Sequence, residues 1–206
     1  MSGKISINRI VDATLTGVEV AQATYERWSG GYWLWQAPEY LAVVYVAKRI
    51  AKLRGSKFVT LEESAKNAIS EAGAKGRGKL PRDIRAFGRI DIVLWWATGL
   101  PRAIIEIKNQ LGTRAHYEAD IKRIKQFLQR RSQDSSLQFG LFAFYHSAYG
   151  SRDKTASEKV QSKMNRVVED VNTILGEKFQ IIVKTSNIQI SGSDAWIAVC
   201  ILIRLK

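Results

Sequence analysis

The chain has 206 residues, 46% of them apolar, and carries 32 Lys and Arg against 19 Asp and Glu, a formal charge of +13. That length and apolar content fit a globular chain with a sizeable core rather than a disordered one, and the single cysteine, Cys200, excludes an intramolecular disulfide and a multi-cysteine zinc site. The basic excess calls for a polyanionic partner, nucleic acid first. The lack of a signal-peptide pattern, or of about 18 consecutive apolar residues, predicts a cytoplasmic protein with no membrane partner.

In chain order, Ile10, Leu15, Val18, Val20 and Ala21 recur at helical spacing within the first 28 residues. An aromatic knot from Trp28 to Trp35 follows, broken by Gly30 and Gly31. Pro38 opens a helix predicted to reach Leu53 and stop near Gly55. Phe58 to Leu61 reads as a short strand and Glu62 to Ala72 as a short helix. Residues 73–89 are rich in glycine and basic side chains and read as a mobile loop. Ile90 to Trp96 and Ala103 to Lys108 form two strands around Thr98-Gly-Leu-Pro101. A helix is predicted over His116 to Arg131, a buried strand over Phe139 to Tyr145, and a long helix over Ala156 to Leu175. Phe179 to Lys184 and Ala195 to Leu205 are the last two strands. This order describes an α/β or α+β fold around one mixed sheet.

The chemistry lies in the hairpin. Asp91 interrupts the apolar run of its first strand, and Glu106 and Lys108 interrupt that of its second. Charge in a buried strand is costly unless it is paired or binds a metal. With the turn centred between Gly99 and Leu100, Asp91 faces Lys108 and Val93 faces Glu106, so all three charges share one face of the sheet. Asp91 and Glu106 then offer hard oxygen ligands, and the Ile107 carbonyl between the site-facing side chains offers a third. This set suits Mg²⁺ or Mn²⁺. Lys108 is placed to hold a water and to stabilise charge on a phosphate, and the chemistry implied is phosphodiester hydrolysis.

Asp91 followed by Glu106-Ile-Lys108, on a hairpin that follows a helix, resembles the active site of the PD-(D/E)XK nuclease superfamily, which includes restriction endonucleases and Holliday-junction resolvases. The resemblance spans roughly residues 38–145, and Asp91 follows Ile90 where the name motif has proline. It implies a restriction-endonuclease-like mixed β-sheet flanked by helices, over residues 38–206, with residues 1–37 as an N-terminal helical extension. It implies a metal-dependent DNA endonuclease acting in a restriction, defence, mobile-element or repair setting. Glu39, on the stripe Glu39, Val43, Val46, Ile50, takes the place of the accessory helix carboxylate that reaches the same metals, and Gln110 that of an extra polar residue near the site.

Lys75, Arg77, Lys79, Arg82, Arg85 and Arg89 lead directly into Asp91 and are the candidate phosphate contacts, with Gln110 beside them. Lys122, Arg123, Lys125, Arg130 and Arg131 read as a solvated helix face, and Asp120 as a local helix partner. Trp95 shares the face of Asp91 and would wall the site, and Trp28 to Trp35 would supply the contact of a homodimer that cuts both strands. Two other readings stay open. One is an inactive nuclease fold used as a DNA-binding or assembly module, with a further protein partner. The other is an RNA-binding protein, and RNA also remains open as the substrate of a nuclease.

Overall fold

A computed structural model describes residues 3–55 and 57–206. Five helices and seven strands form an α/β fold around one mixed sheet. The helices are α1 (Ile7–Ser29), α2 (Glu39–Ala51), α3 (Ala65–Glu71), α4 (Ala115–Gln129) and α5 (Ala156–Leu175). The strands are β1 (Lys57–Ser64), β2 (Arg89–Trp96), β3 (Pro101–Lys108), β4 (Phe139–Tyr149), β5 (Phe179–Thr185), β6 (Gln189–Ser191) and β7 (Asp194–Leu205). The sheet order is β1-β2-β3-β4-β7-β5, with β6 paired to β7. Among the described residues only β3 and β4 are parallel, and α4 makes the crossover that parallel pairing requires. No described helix is long and apolar enough to cross a membrane.

Alternation along the strands builds two cores, one on each side of the sheet. Val93, Ile104, Phe142 and Phe144 face α3, α4 and α5. Ile92, Leu94, Ile105, Ile107 and Leu141 face α1 and α2. The helix expected in the leading segment is α1, and it shares its core with α2. Two glycines let backbones approach closely. A Cβ at Gly17 would lie 2.5 Å from Val46 Cα, which seats α1 directly on α2, and a Cβ at Gly140 would lie 2.3 Å from Ile124, which seats α4 on β4. These seatings fix the N-terminus of α2 and the inner face of α4 against the ends of β2 and β3.

The hairpin register differs from the sequence expectation by two residues. Val93 pairs with Ile104 and Ile92 with Ile105, not Val93 with Glu106. The loop is Ala97-Thr98-Gly99, because Gly99, at φ +86°, donates its N–H back to the Trp96 carbonyl at 3.0 Å. Trp95 then pairs with Pro101 and Leu94 with Ala103, leaving Arg102 as an extra residue on β3. Proline has no N–H for the ladder, so a bulge beside Pro101 sits where a ladder bond is missing in any case. The bulge-borne Arg102 is buried, with Nη2 on the Ile5 carbonyl at 2.8 Å and its guanidinium 4.3 Å from the Trp96 ring. An offset of two residues keeps side-chain parity, so Asp91, Glu106 and Lys108 still share one face.

Two smaller expectations also change. Residues 62–64, read as the start of a helix, extend β1, and α3 begins at Ala65 with the Ser64 hydroxyl as its cap. The loop from Gly73 to Gly88 is anchored rather than free: Ala74 and Ile84 are buried, and Arg130 donates to the Ala74 and Lys75 carbonyls.

Candidate active site

Carrying the observed pairing one residue past Ile92 and Ile105 sets Asp91 opposite Glu106, at the open end of the hairpin. There the Asp91 Oδ2 accepts the Ile107 main-chain N–H at 2.7 Å. Burial pushes the Asp91 carboxyl up to about 6, against the pull of the Ile107 bond and of Lys108 and with the push of Glu39 and Asp120. Glu106 is only 2% exposed. Burial, then Asp91 beside it, raises its pKa well above the ordinary range, while Arg123 opposes the rise. Asp91 and Asp120 thus add to the burial of Glu106, and Arg123 and Lys108 do not offset it.

Lys108 closes the strand end. Its Nζ lies 3.0 Å from Glu39 Oε1 and 3.2 Å from Asp120 Oδ2. Burial works against its charge, but Asp120, Glu39 and Asp91 outweigh it and hold the ammonium protonated. Glu39 comes from the first residue of α2, whose inner stripe Val43, Val46, Ile50 is buried as its spacing predicts. Its second oxygen accepts the Asn109 N–H at 3.4 Å. The Asn109 amide in turn donates to the Ala37 carbonyl at 2.6 Å and to the Leu34 carbonyl at 3.3 Å. The aromatic segment is thereby stitched to the end of β3, although Trp28 and Tyr32 remain largely exposed. Asp91 and Glu106 thus lie on one face at the strand end, and Glu39 reaches that end through Lys108.

Two residues that the sequence reading placed elsewhere complete the cluster. Arg123 is 1% exposed, not part of a solvated face, and its Nη1 meets Glu106 Oε1 at 2.7 Å and the Arg89 carbonyl at 2.6 Å. Its Nε is buried without a hydrogen-bond partner among the described residues. Asp120 is 6% exposed and pairs with Lys108 and with Arg85, at 3.0 Å, rather than along its own helix. The signal was present in the spacing. Asp120 and Arg123 stand three and six residues after Tyr117, within the stripe Tyr117, Ile121, Ile124, Phe127 that faces the sheet.

The candidate phosphate contacts divide. Lys75, Arg77, Lys79 and Arg82 are exposed and make no ion pair among the described residues. Arg85 is tied to Asp120, and Arg89 donates to the Glu62 carbonyl at 3.0 Å. Gln110 does not serve the site as expected. Its amide bonds both ways to the Ser147 main chain, at 3.0 and 3.2 Å, and locks the chain after β3 onto β4. Trp95 does not wall the site either. It lies four residues along β2 from Asp91, roughly 13 Å away, stacked on Phe58 with its indole N–H on Thr60 Oγ1 at 2.8 Å.

No protein-family model matches the chain, and no characterised protein and no solved structure is significantly similar to it.

The donor set bears on a divalent cation. No three carboxylate, histidine or cysteine side chains among the described residues converge as a metal cage. Mg²⁺ does not need one, since it keeps most of its waters and takes one or two carboxylates together with substrate phosphate. Asp91, with Oδ2 on Ile107, and Glu106, with Oε1 on Arg123, are the two carboxylates that fit this requirement. Burial raises both pKa values, and Asp91 adds to the rise at Glu106; a bound cation would favour the ionised form of each.

Proposed function

We propose that the chain is a nuclease of the PD-(D/E)XK kind, with a restriction-endonuclease-like fold, that hydrolyses DNA phosphodiester bonds with Mg²⁺ or Mn²⁺. The observation that carries this reading is the strand-end cluster. Asp91 and Glu106 sit on adjacent strands and one face, and Lys108, two residues beyond Glu106, is held by Glu39 at 3.0 Å. With β1 and α3 inserted after α2, the order α2, β2–β3, α4, β4 is compatible with the helix, hairpin, helix and strand of that family's core. The charge of +13 and the four basic side chains of the loop before β2 that make no ion pair among the described residues suit a phosphate backbone.

A divalent cation held by Asp91 and Glu106 would supply Lewis acidity to the scissile phosphate and acidify an attacking water. This chain's own groups do the rest. Lys108, kept charged by Glu39 and Asp120, presents an ammonium to the phosphate oxygens as negative charge builds there. It serves as an electrostatic clamp and not as a base, because its carboxylate neighbours hold its proton. Glu39 sets the position of that ammonium and takes the proton of a water ordered beside it. Asp120 links the clamp to Arg85 and so to the basic loop.

One observation favours a second reading, an inactive nuclease fold that binds DNA. The Glu106 carboxylate is buried and already bonded to Arg123 at 2.7 Å. Plasmid cleavage by the purified protein with Mg²⁺, Mn²⁺ or EDTA, beside Lys108→Ala, separates the two. The nuclease reading expects metal-dependent nicking that Lys108→Ala lowers by at least about 100-fold, with the far-UV CD spectrum unchanged. Cleavage that survives both Lys108→Ala and Asp91→Ala would sink the site assignment. Tight DNA binding without cleavage would establish the second reading.

A further inference from the structure

Phe87 is 100% exposed, the most exposed large apolar side chain among the described residues. Scattered surface apolar residues are ordinary, but this one is presented by a fixed backbone. The residues on either side of it are both bonded to the start of α3: Lys66 N–H donates to the Ala86 carbonyl at 3.2 Å, and Ala65 N–H to the Gly88 carbonyl at 3.0 Å. Gly88 N–H closes a tight turn on the Arg85 carbonyl at 2.6 Å, and Arg85 takes a left-handed φ of +53° to make it. Below the turn, Arg123 donates to the Arg89 carbonyl at 2.6 Å and Arg85 to Asp120 at 3.0 Å. The phenyl ring therefore stands on a rigid knuckle seated on the candidate site, with exposed Arg82, Arg85 and Arg89 around it.

We propose that Phe87 is a wedge that stacks into duplex DNA at the site and opens one base step, while the surrounding arginines hold the flanking phosphates. Aromatic and aliphatic wedges between base pairs are a known physical means of kinking a duplex. Positive charge around the ring suits a polyanion and disfavours an apolar protein surface. The inference rests on the reading of the neighbouring face as one that engages DNA.

The test is binding of a duplex of about 20 base pairs, carrying 2-aminopurine at successive positions, in EDTA so that nothing is cleaved. Wild type should raise 2-aminopurine fluorescence at one step. F87A should lose that signal and bind about 10-fold more weakly, as loss of one base–aromatic stack predicts, with the slope of affinity against salt unchanged. F87W should keep the signal. Because the ring touches nothing that folds the chain, F87A should melt with wild type. Equal affinity and fluorescence for wild type and F87A would overturn the wedge and leave the nuclease reading standing, since cleavage is scored separately with Mg²⁺. Preference for single strands, or self-association of wild type that F87A abolishes, would also overturn it. The wedge signal without Mg²⁺-dependent cleavage would support Phe87 and remove the nuclease reading.

Discussion

Replacing Arg123 by Met tests how the cluster is held together. Arg123 and Glu106 are 1% and 2% exposed and meet at 2.7 Å. Met keeps much of the arginine stem's volume and removes the charge. Glu106 is then left beside Asp91 and Asp120, with Lys108 as the remaining cation facing it. Removing one partner of a buried pair costs about 3–5 kcal/mol. Linkage adds a pH dependence. Arg123 opposes the rise in the Glu106 pKa, so its removal raises that pKa further and the variant loses stability relative to wild type as pH rises. The folded pKa lies above the unfolded one, so the stability this group contributes is full at low pH and is lost as pH rises through the folded value. Arg123→Met should therefore lower Tm by roughly 6–20 °C near neutrality, and its deficit in urea unfolding should narrow as pH falls toward about 5. Glu106→Leu with Arg123→Met should recover most of the loss, because no charge is then stranded. A loss below about 1 kcal/mol, or one independent of pH between about 7.5 and 5.5, would refute the pairing as the support of the site.

Two further outcomes are expected. Mg²⁺ at about 100 times its dissociation constant should stabilise the wild-type chain by roughly 2.7 kcal/mol, read as a rise in Tm, and Asp91→Asn should abolish the shift; an equal shift in the variant would remove Asp91 as a ligand. His146 is buried with Nδ1 unpartnered among the described residues, and burial, then Lys163, takes its pKa from 6.5 down to about 4. The unfolded chain binds that proton first. Stability should be full above about pH 6.5 and fall by about 3 kcal/mol as pH drops to about 4, and His146→Phe should flatten that part of the profile in urea unfolding at stepped pH.

Periodicity exposed what depends on one element at a time. The stripe Glu39, Val43, Val46, Ile50 placed Glu39 at the sheet, and side-chain parity placed Asp91, Glu106 and Lys108 on one face even though the register was two residues off. The register itself depends on a bulge at Arg102, and a buried arginine beside a proline gives no local sign of being an extra residue. Arg123 and Asp120 were hidden by company. Lys122 and Lys125 share their helix, and only tertiary packing separates the arginine that enters the sheet from Lys122, paired with Glu118 along the helix, and Lys125, bonded to the Ile174 carbonyl. Phe87 was masked likewise, since the exposure of one phenyl in a basic, glycine-rich loop depends on the tertiary bonds that hold the loop's turn to α3.

The position of β7 has a consequence for how the chain assembles. It follows every other described strand in sequence, yet it pairs along its length with β4 in the middle of the sheet. Until it docks, β4 presents an unpaired apolar edge of the kind that recruits other chains. The parallel β3–β4 pair, whose end carries Lys108 and Gln110, then has support on one side only. Parallel pairs close slowly because their contacts are distant in sequence. The strand-end cluster therefore becomes rigid only after β7 has joined β4, and a folding intermediate that lacks β7 would be sticky before that cluster was fixed.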